Sequence, residues 1–333
     1  MPPILYSVED LTVEYTTRIG PVRAVDDVSL EINKGEILGL VGESGCGKST
    51  LGKALMRLHT GPARITSGRL LFDGHDLMEL SDRRMREIRG SRLGMVFQDP
   101  MTSLNPVQRI IDHLTETMLT HRPDWTESAA RERAEDLVER LGIRRERIDD
   151  YPHQMSGGMR QRVMISLALA LNCDLVIADE PTTSLDVIVE AKFLDLLKEL
   201  QKEFDLTILL ITHNIGVVAE VADRVAVMYA GKMAEVGDVR EVFGDPQHPY
   251  TQGLLHSVPN IELDGGELYK MEGAPPNLLH PPSGCRFHPR CPHVMDICPA
   301  REPAFDPVEG MPEDHLVACW LYQEHPAEVP SGV

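Results

Sequence analysis

The chain has 333 residues, a hydrophobic fraction of 42% and a formal charge of −19, and it is longer than the ~100–200 residues typical of one domain. The charge argues against a nucleic-acid binder, which shows a basic patch, and against long-range attraction to an anionic membrane leaflet. No run of ~18 apolar residues marks a membrane span. Met1 to Tyr6 lack the basic segment and apolar stretch of a signal peptide, so a cytosolic chain is expected, with its six cysteines as thiols or metal ligands.

In chain order, residues 4–34 alternate in a β-like way and predict an antiparallel subdomain. Tyr15 closes one of these strands, where an aromatic either packs or stacks on a base. The apolar run Glu36 to Val41 predicts a buried parallel strand. Gly42-Glu43-Ser44-Gly45-Cys46-Gly47-Lys48-Ser49-Thr50 follows, and Leu51, Ala54, Leu55 and Leu58 then keep helical spacing. Strand, G-x-x-x-x-G-K-[ST] and helix together make a phosphate-binding P-loop. Glycines let successive backbone N–H groups converge on one anion, and the helix N-terminus adds partial positive charge there. Lys48 is expected to reach the terminal phosphates and the Ser49 hydroxyl to ligate Mg²⁺. Gly42, Ser44, Gly45, Cys46, Gly47 and Thr50 complete the loop.

A strand pair is expected around 68–74, and Leu93 to Gln98 reads as a strand ending in a polar residue. Asp99-Pro100 and Asn105-Pro106 then break the chain. Residues 107–172 read as mostly helical, with a capping box at Asp124 and Glu127 and a stop at Gly142. Ser156-Gly157-Gly158 precedes a second long helix, Met159 to Asn172. Leu175 to Glu180 is a buried strand delivering Asp179 and Glu180 to its carboxyl edge, where α/β sheets place ligands. A helix from Val187 to Phe204, a strand from Thr207 ending at His213, and a closing hairpin over 224–236 follow.

Beyond about residue 245 the composition changes: 15 of the 24 prolines and thirteen acids against four bases lie there. Long helices are not expected. Acidity with little regular structure suggests a disordered tail, but Cys285, Cys291, Cys298 and Cys319 argue otherwise.

With Gln98, Ser156-Gly157-Gly158, Asp179-Glu180, Asp186 and His213 in that order after the P-loop, residues 4–240 resemble an ABC-transporter ATPase subunit. The resemblance implies an α/β P-loop NTPase cassette, with a RecA-like core, an antiparallel β subdomain and a helical subdomain at about 100–172. It implies a nucleotide-binding domain over 1–245. It assigns Asp179 to Mg²⁺ with Ser49 and Gln98, Glu180 to the attacking water as general base, and His213 to the γ-phosphate and to Glu180. Tyr15 becomes the ring that stacks on adenine. Ser156, Gly157, Gly158 and Gln161 serve ATP held by a second ATPase subunit, and Asp186 belongs to the D-loop, Ser184-Leu185-Asp186, at the dimer interface. The signature reads Met155-Ser156-Gly157-Gly158-Met159, where the commonest form has Leu first and Gln last.

The tail narrows the resemblance. Gln247 to Leu255, Gly273-Ala274-Pro275-Pro276 and Gly284 to Pro292 resemble the C-terminal extension of oligopeptide/dipeptide-type importer ATPases, as does the Pro100 to Pro106 segment. Residues 246–333 are then an irregular, cysteine-containing extension. Such importers take up peptides, nickel complexes or oligosaccharides. They pair the ATPase with a second, homologous ATPase, two permeases and an extracytoplasmic solute-binding protein, at the cytoplasmic face of the membrane. A soluble ABC ATPase of DNA repair or translation would carry coiled-coil inserts or two cassettes, and neither is present. An exporter gives the tail no evident purpose. The resemblance implies a [4Fe–4S] cluster on Cys285, Cys291, Cys298 and Cys319, while the residues alone also admit zinc, free thiols or a disulfide.

Overall fold

The computed structural model describes residues 2–59, 61–99, 103–183, 185–257 and 271–324. Two long strands, β1 (Ile4–Thr17) and β2 (Gly20–Asn33), alternate buried and open positions and meet across a turn at Arg18 and Ile19. β3 (Ile37–Val41) is buried throughout and leads through the glycine-rich loop into α1 (Lys48–Leu55). β4 (Ala63–Phe72) and β5 (His75–Asp76) flank Asp73 and Gly74, both at positive φ, as a two-residue hairpin requires. Next come α2 (Asp82–Ile88), β6 (Leu93–Val96), α3 (Ile110–His121), α4 (Glu127–Arg140) and α5 (Gly157–Leu169). β7 (Leu175–Asp179), α6 (Val187–Phe204), β8 (Thr207–Ile211) and α7 (Ile215–Val221) follow. β9 (Arg224–Tyr229), β10 (Lys232–Asp238), α8 (Val239–Gly244), α9 (Pro249–His256), β11 (Asp306–Pro307) and β12 (Leu316–Val317) complete the chain.

Three helix ends differ from those the sequence predicts. The cap of α4 is Thr126, whose hydroxyl accepts from the Ala129 N–H at 3.2 Å, while Asp124 pairs with Arg122 at 3.0 Å. α5 starts two residues early, capped by Ser156, and stops at Leu169, short of Asn172, which takes a left-handed φ of 56°.

The residues form two compact units. The first holds Met1–Tyr6, Ile32–Ile37 and Phe72–Ile211. In it β7 lies between β6 and β8, all parallel, with Leu175 opposite Leu93 on one side and Thr207 on the other. α3, α4 and α5 pack on one another and bury Leu114, Met118, Ala130, Ala134, Leu137 and Val138. The second unit holds Ser7–Glu31, Leu38–Leu71 and Thr212–Val333. There β9 runs parallel to β3 and antiparallel to β10, β12 pairs with β10, and β11 with β12.

The expected boundary at 245 falls inside this second unit, because the extension adds β12 to β10 and covers a buried charge. Glu235 on β10 is fully buried, and its carboxylate accepts from the backbone N–H of Gln247 (2.8 Å) and His248 (2.9 Å) and meets His315 Nε2 at 2.9 Å. All three donors come from beyond β10. An unpartnered carboxylate there would cost several kcal/mol, roughly, so β10 and the extension are stable together.

His248 carries a pH signature. Burial pushes its pKa down from 6.5 to about 4, against the opposing pull of Glu235 and of a bond to the Ala318 backbone. Between those values the unfolded chain binds the proton and the folded chain does not. The stabilisation is therefore present above pH 6.5 and lost as pH falls toward 4, by about 3 kcal/mol in all. Thermal unfolding should show a falling midpoint across that window. His248→Asn, which keeps an acceptor at the cap of α9, should flatten the fall.

Candidate functional site

The P-loop curls at its three glycines, and at two of them an added Cβ would meet a backbone carbonyl oxygen. Gly42 has φ 151°, and a Cβ there would lie 2.1 Å from the Met228 carbonyl oxygen. Gly47, at φ 113°, caps α1, and a Cβ there would lie 2.1 Å from the Ala24 carbonyl oxygen. Gly45, at φ 80°, meets nothing within 4 Å. Lys48 begins α1 and is buried. Its ammonium donates to the carbonyl oxygens of Gly42 (2.7 Å) and Glu43 (3.1 Å) and stands 3.8 Å from Cys46 Sγ. Burial pushes the Cys46 thiol up, with Lys48 opposing, so the group is a neutral thiol at pH 7. Tyr15 Oη and Thr50 Oγ1 are 3.1 Å apart, so the ring expected to take a base lies beside the start of α1.

In the other unit, β7 is buried to its last residue, Asp179, which is 3% exposed. Glu180 follows at φ 47°, a left-handed conformation costing a non-glycine residue about 1–2 kcal/mol. Its N–H donates to the Ile211 carbonyl at 2.8 Å. The carboxylate oxygen Oε2 accepts from Gln98 Nε2 at 3.0 Å and from Thr183 Oγ1 at 2.9 Å. Gln98 and Glu180, 82 positions apart, are thus brought together. Strain of this kind persists where surrounding contacts hold it, and it aims a carboxylate. Thr183 is absent from the sequence reading. A hydroxyl three residues after an acid at a strand end is the signal that could have found it.

Ser156 is exposed and caps α5 by accepting from the Met159 N–H at 3.4 Å. Gly157 and Gly158 open the helix. Gln161 faces inward: it is 1% exposed and its amide finds no hydrogen-bond partner among the described residues. The surface of this motif therefore comes from Ser156 and the glycines. Asp186 caps α6 by accepting from the Val189 N–H at 3.0 Å. Ser184, and Pro100, Met101 and Thr102 of the Pro100 to Pro106 segment, lie outside the described residues. His213 is exposed after β8, where the Thr212 hydroxyl accepts from the Asn214 N–H at 3.0 Å.

In the extension, Cys285 and Cys298 are tied by a backbone bond of 2.8 Å, and Gly284 packs so close that a Cβ would lie 2.2 Å from the Cys298 carbonyl oxygen. β12 delivers Cys319 two residues on. The six cysteines are all unbridged. Burial pushes the Cys285 thiol up to about 12 and the Cys319 thiol up to about 11, and the neighbouring cysteines of the extension add to both shifts. The N–H groups of Phe287, His293 and Leu321 donate to Cys285, Cys291 and Cys319, and that of Met295 to Cys298 at 3.5 Å. Among the described residues no three His, Cys, Asp or Glu side chains close around a single ion.

A family model described as ABC transporter matches residues 25–183, and one described as oligopeptide/dipeptide transporter, C-terminal region, matches residues 234–298. The chain is similar to the dipeptide transport ATP-binding protein DppD of Bacillus subtilis, at 49% identity over 96% of this chain and 95% of the relative. It is 44% identical to the oligopeptide transport ATP-binding protein OppD of Escherichia coli, over 95% and 93% of the two chains. A solved dimeric ATP-binding cassette in a post-hydrolysis state with ADP and Pi aligns with TM-score 0.64 and 28% identity, covering 71% of this chain and 99% of the other. A cbiO1 structure from Clostridium perfringens, part of the ABC transporter complex cbiONQ, aligns with TM-score 0.63 and 30% identity, covering 73% and 92%.

The loop geometry sets two substitutions against each other. Gly47→Ala meets a backbone oxygen and should lower the urea unfolding free energy by about 3 kcal/mol or prevent folding. Gly45→Ala meets open space and should cost only the ~1–2 kcal/mol of its left-handed backbone.

Proposed function

Because this chain belongs to the ATP-binding subunits of dipeptide and oligopeptide ABC transporters, we propose that it forms one half of a two-subunit ATPase whose closing and opening drive two permeases. It is an ABC transporter ATPase subunit of a peptide importer. No helix among the described residues is long and apolar enough to cross a membrane. The proposed place is the cytoplasmic face, beside the permeases. The second ATPase is a different but homologous chain, and an extracytoplasmic binding protein selects the solute.

ATP is the substrate. The N–H groups of Gly42 to Thr50 take its phosphates, and Lys48 exchanges its loop carbonyls for the terminal phosphates. Tyr15 stacks on adenine. Ser49, Gln98 and Asp179 would hold Mg²⁺, a hard cation that their oxygen donors suit and that neutralises phosphate charge. Glu180 positions the attacking water. As the water oxygen bonds to the γ-phosphorus, the bond to the bridging oxygen of ADP breaks and the water proton passes to the Glu180 carboxylate. His213 contacts the γ-phosphate. Ser156, Gly157 and Gly158 complete the site of the partner subunit, and Asp186 lies along the shared interface. ATP binds the closed pair better than the open pair, and that difference drives the movement.

The observation that carries the hydrolytic assignment is the hold on Glu180: a strained backbone with its carboxylate fixed by Gln98 and Thr183. Glu180→Gln should retain ATP while lowering kcat by at least ~10²-fold, read as phosphate release by the reconstituted transporter. Turnover near the wild-type rate would assign the base elsewhere.

Cys285, Cys291, Cys298 and Cys319 fit a [4Fe–4S] cluster. What supports this reading is the donor type, since four cysteine thiolates are the ligands such a cluster takes, and the backbone bond that ties the Cys285 and Cys298 segments together. Zinc held at ~2.3 Å by the same four sulfurs is the alternative occupant. Cys285, Cys291, Cys298 and Cys319 would hold the cluster, which would cross-link their proline-rich segment. Anaerobically purified chain should contain iron and acid-labile sulfide, both lost in Cys298→Ala. Stoichiometric zinc without iron would overturn the cluster.

A further inference from the structure

The residue between Gly42 and Ser44 has a role that the phosphate-binding motif leaves open. Every polar group of Glu43 is engaged. Its carbonyl oxygen accepts from Lys48 Nζ at 3.1 Å and from the Cys46 N–H at 3.2 Å. Its N–H donates to Tyr250 Oη at 2.9 Å. Its carboxylate receives both arms of the Arg290 guanidinium, Nη1 at 2.8 Å and Nη2 at 3.0 Å. Tyr250 and Arg290 both come from beyond β10, so the extension holds this loop residue by its backbone and by its charge.

Arg290 is itself fixed. Its side chain is 6% exposed, its Nε donates to the Glu272 carbonyl at 3.0 Å, and Nη1 reaches Tyr229 Oη at 3.3 Å. The pairing with Glu43 holds its pKa above the ordinary arginine value, so it stays charged. Two further contacts seat its segment. Phe287 packs on Tyr229, Tyr250 and His248, with centroids 5.2, 5.5 and 5.8 Å away. Arg286 bonds the Ala230 carbonyl and the Asp26 carboxylate. A bidentate arginine fork fixes both the position and the angle of a carboxylate, which a lysine cannot do.

A carboxylate in a loop built for a polyphosphate is an electrostatic liability. Unpaired, Glu43 would repel the phosphates that the loop N–H groups and Lys48 attract. We infer that Arg290 is a positioning residue for ATP: by neutralising and orienting Glu43 it keeps the P-loop open to phosphate, which makes the C-terminal extension part of the nucleotide site. The inference rests on the ATP reading above and is independent of what the four cysteines carry.

The test uses the full chain and MgATP, with affinity measured by calorimetry. Arg290→Ala is expected to weaken binding about ten-fold, and the deficit should shrink as salt rises, since the repulsion is screened. The double variant Arg290→Ala/Glu43→Gln should recover most of the affinity, because the unpaired charge is gone. A purely structural role for Arg290 gives no such rescue. Iron content and thermal midpoint are measured alongside, and Arg290→Gln stands in if Arg290→Ala does not fold. Unchanged affinity in the single variant, or a loss that Glu43→Gln does not repair, overturns the inference. Failure of wild-type chain to bind MgATP overturns it together with the ATP reading.

Discussion

The nucleotide site depends on how closely backbone can approach backbone at Gly42 and Gly47. At both, a single added carbon would collide with a carbonyl oxygen, of Met228 at one and of Ala24 at the other. The loop is therefore pressed between the end of β9 and the strand β2, and its curl is set by packing as well as by glycine's freedom. Lys48 follows from that curl. With the loop wound tightly, its ammonium reaches back to the carbonyls of Gly42 and Glu43. A buried ammonium needs such partners, and these oxygens hold it where a phosphate can replace them.

The hydrolytic side works by a different constraint. β7 ends in a buried acid, and the next residue turns left-handed, so two consecutive carboxylates leave the strand in different settings. Asp179 stays in the sheet edge and Glu180 swings out to Gln98 and Thr183. A strand that ended one residue later would give Glu180 an ordinary β conformation and send its side chain to the face opposite Asp179.

Much of this was legible in the sequence, for reasons that can be named. β3, β7 and β8 read as strands because buried parallel strands are continuous apolar runs, and α6 matched its expected bounds because its apolar stripe is regular. The P-loop was legible because its chemistry needs fixed residue types at fixed spacing. The cap of α4 was misread because Asp124 and Thr126 are both good caps, and an arginine two residues back claims the aspartate. The burial of Gln161 was not legible, since a polar residue in a signature motif reads as exposed. The extension was the least legible part. Prolines and acids conceal β11 and β12, which are only two residues each and exist through pairing, β12 with β10 and β11 with β12. Arg290 gave no local signal either, because its partner lies 247 positions away.

That short pairing has a further consequence. β10 carries five consecutive buried residues, Met233 to Gly237, and β12 lies along the side that β9 leaves open. Stripped of β12, β10 would present unpaired N–H and C=O groups beside apolar side chains, the surface on which strands of separate molecules join. Two residues of the tail, with Ala318 bonded to Ala234 just beyond them, thus cover that side of β10, and the strand next outward, β11, is two residues long and carries Pro307, which suits it poorly to extend the sheet any further.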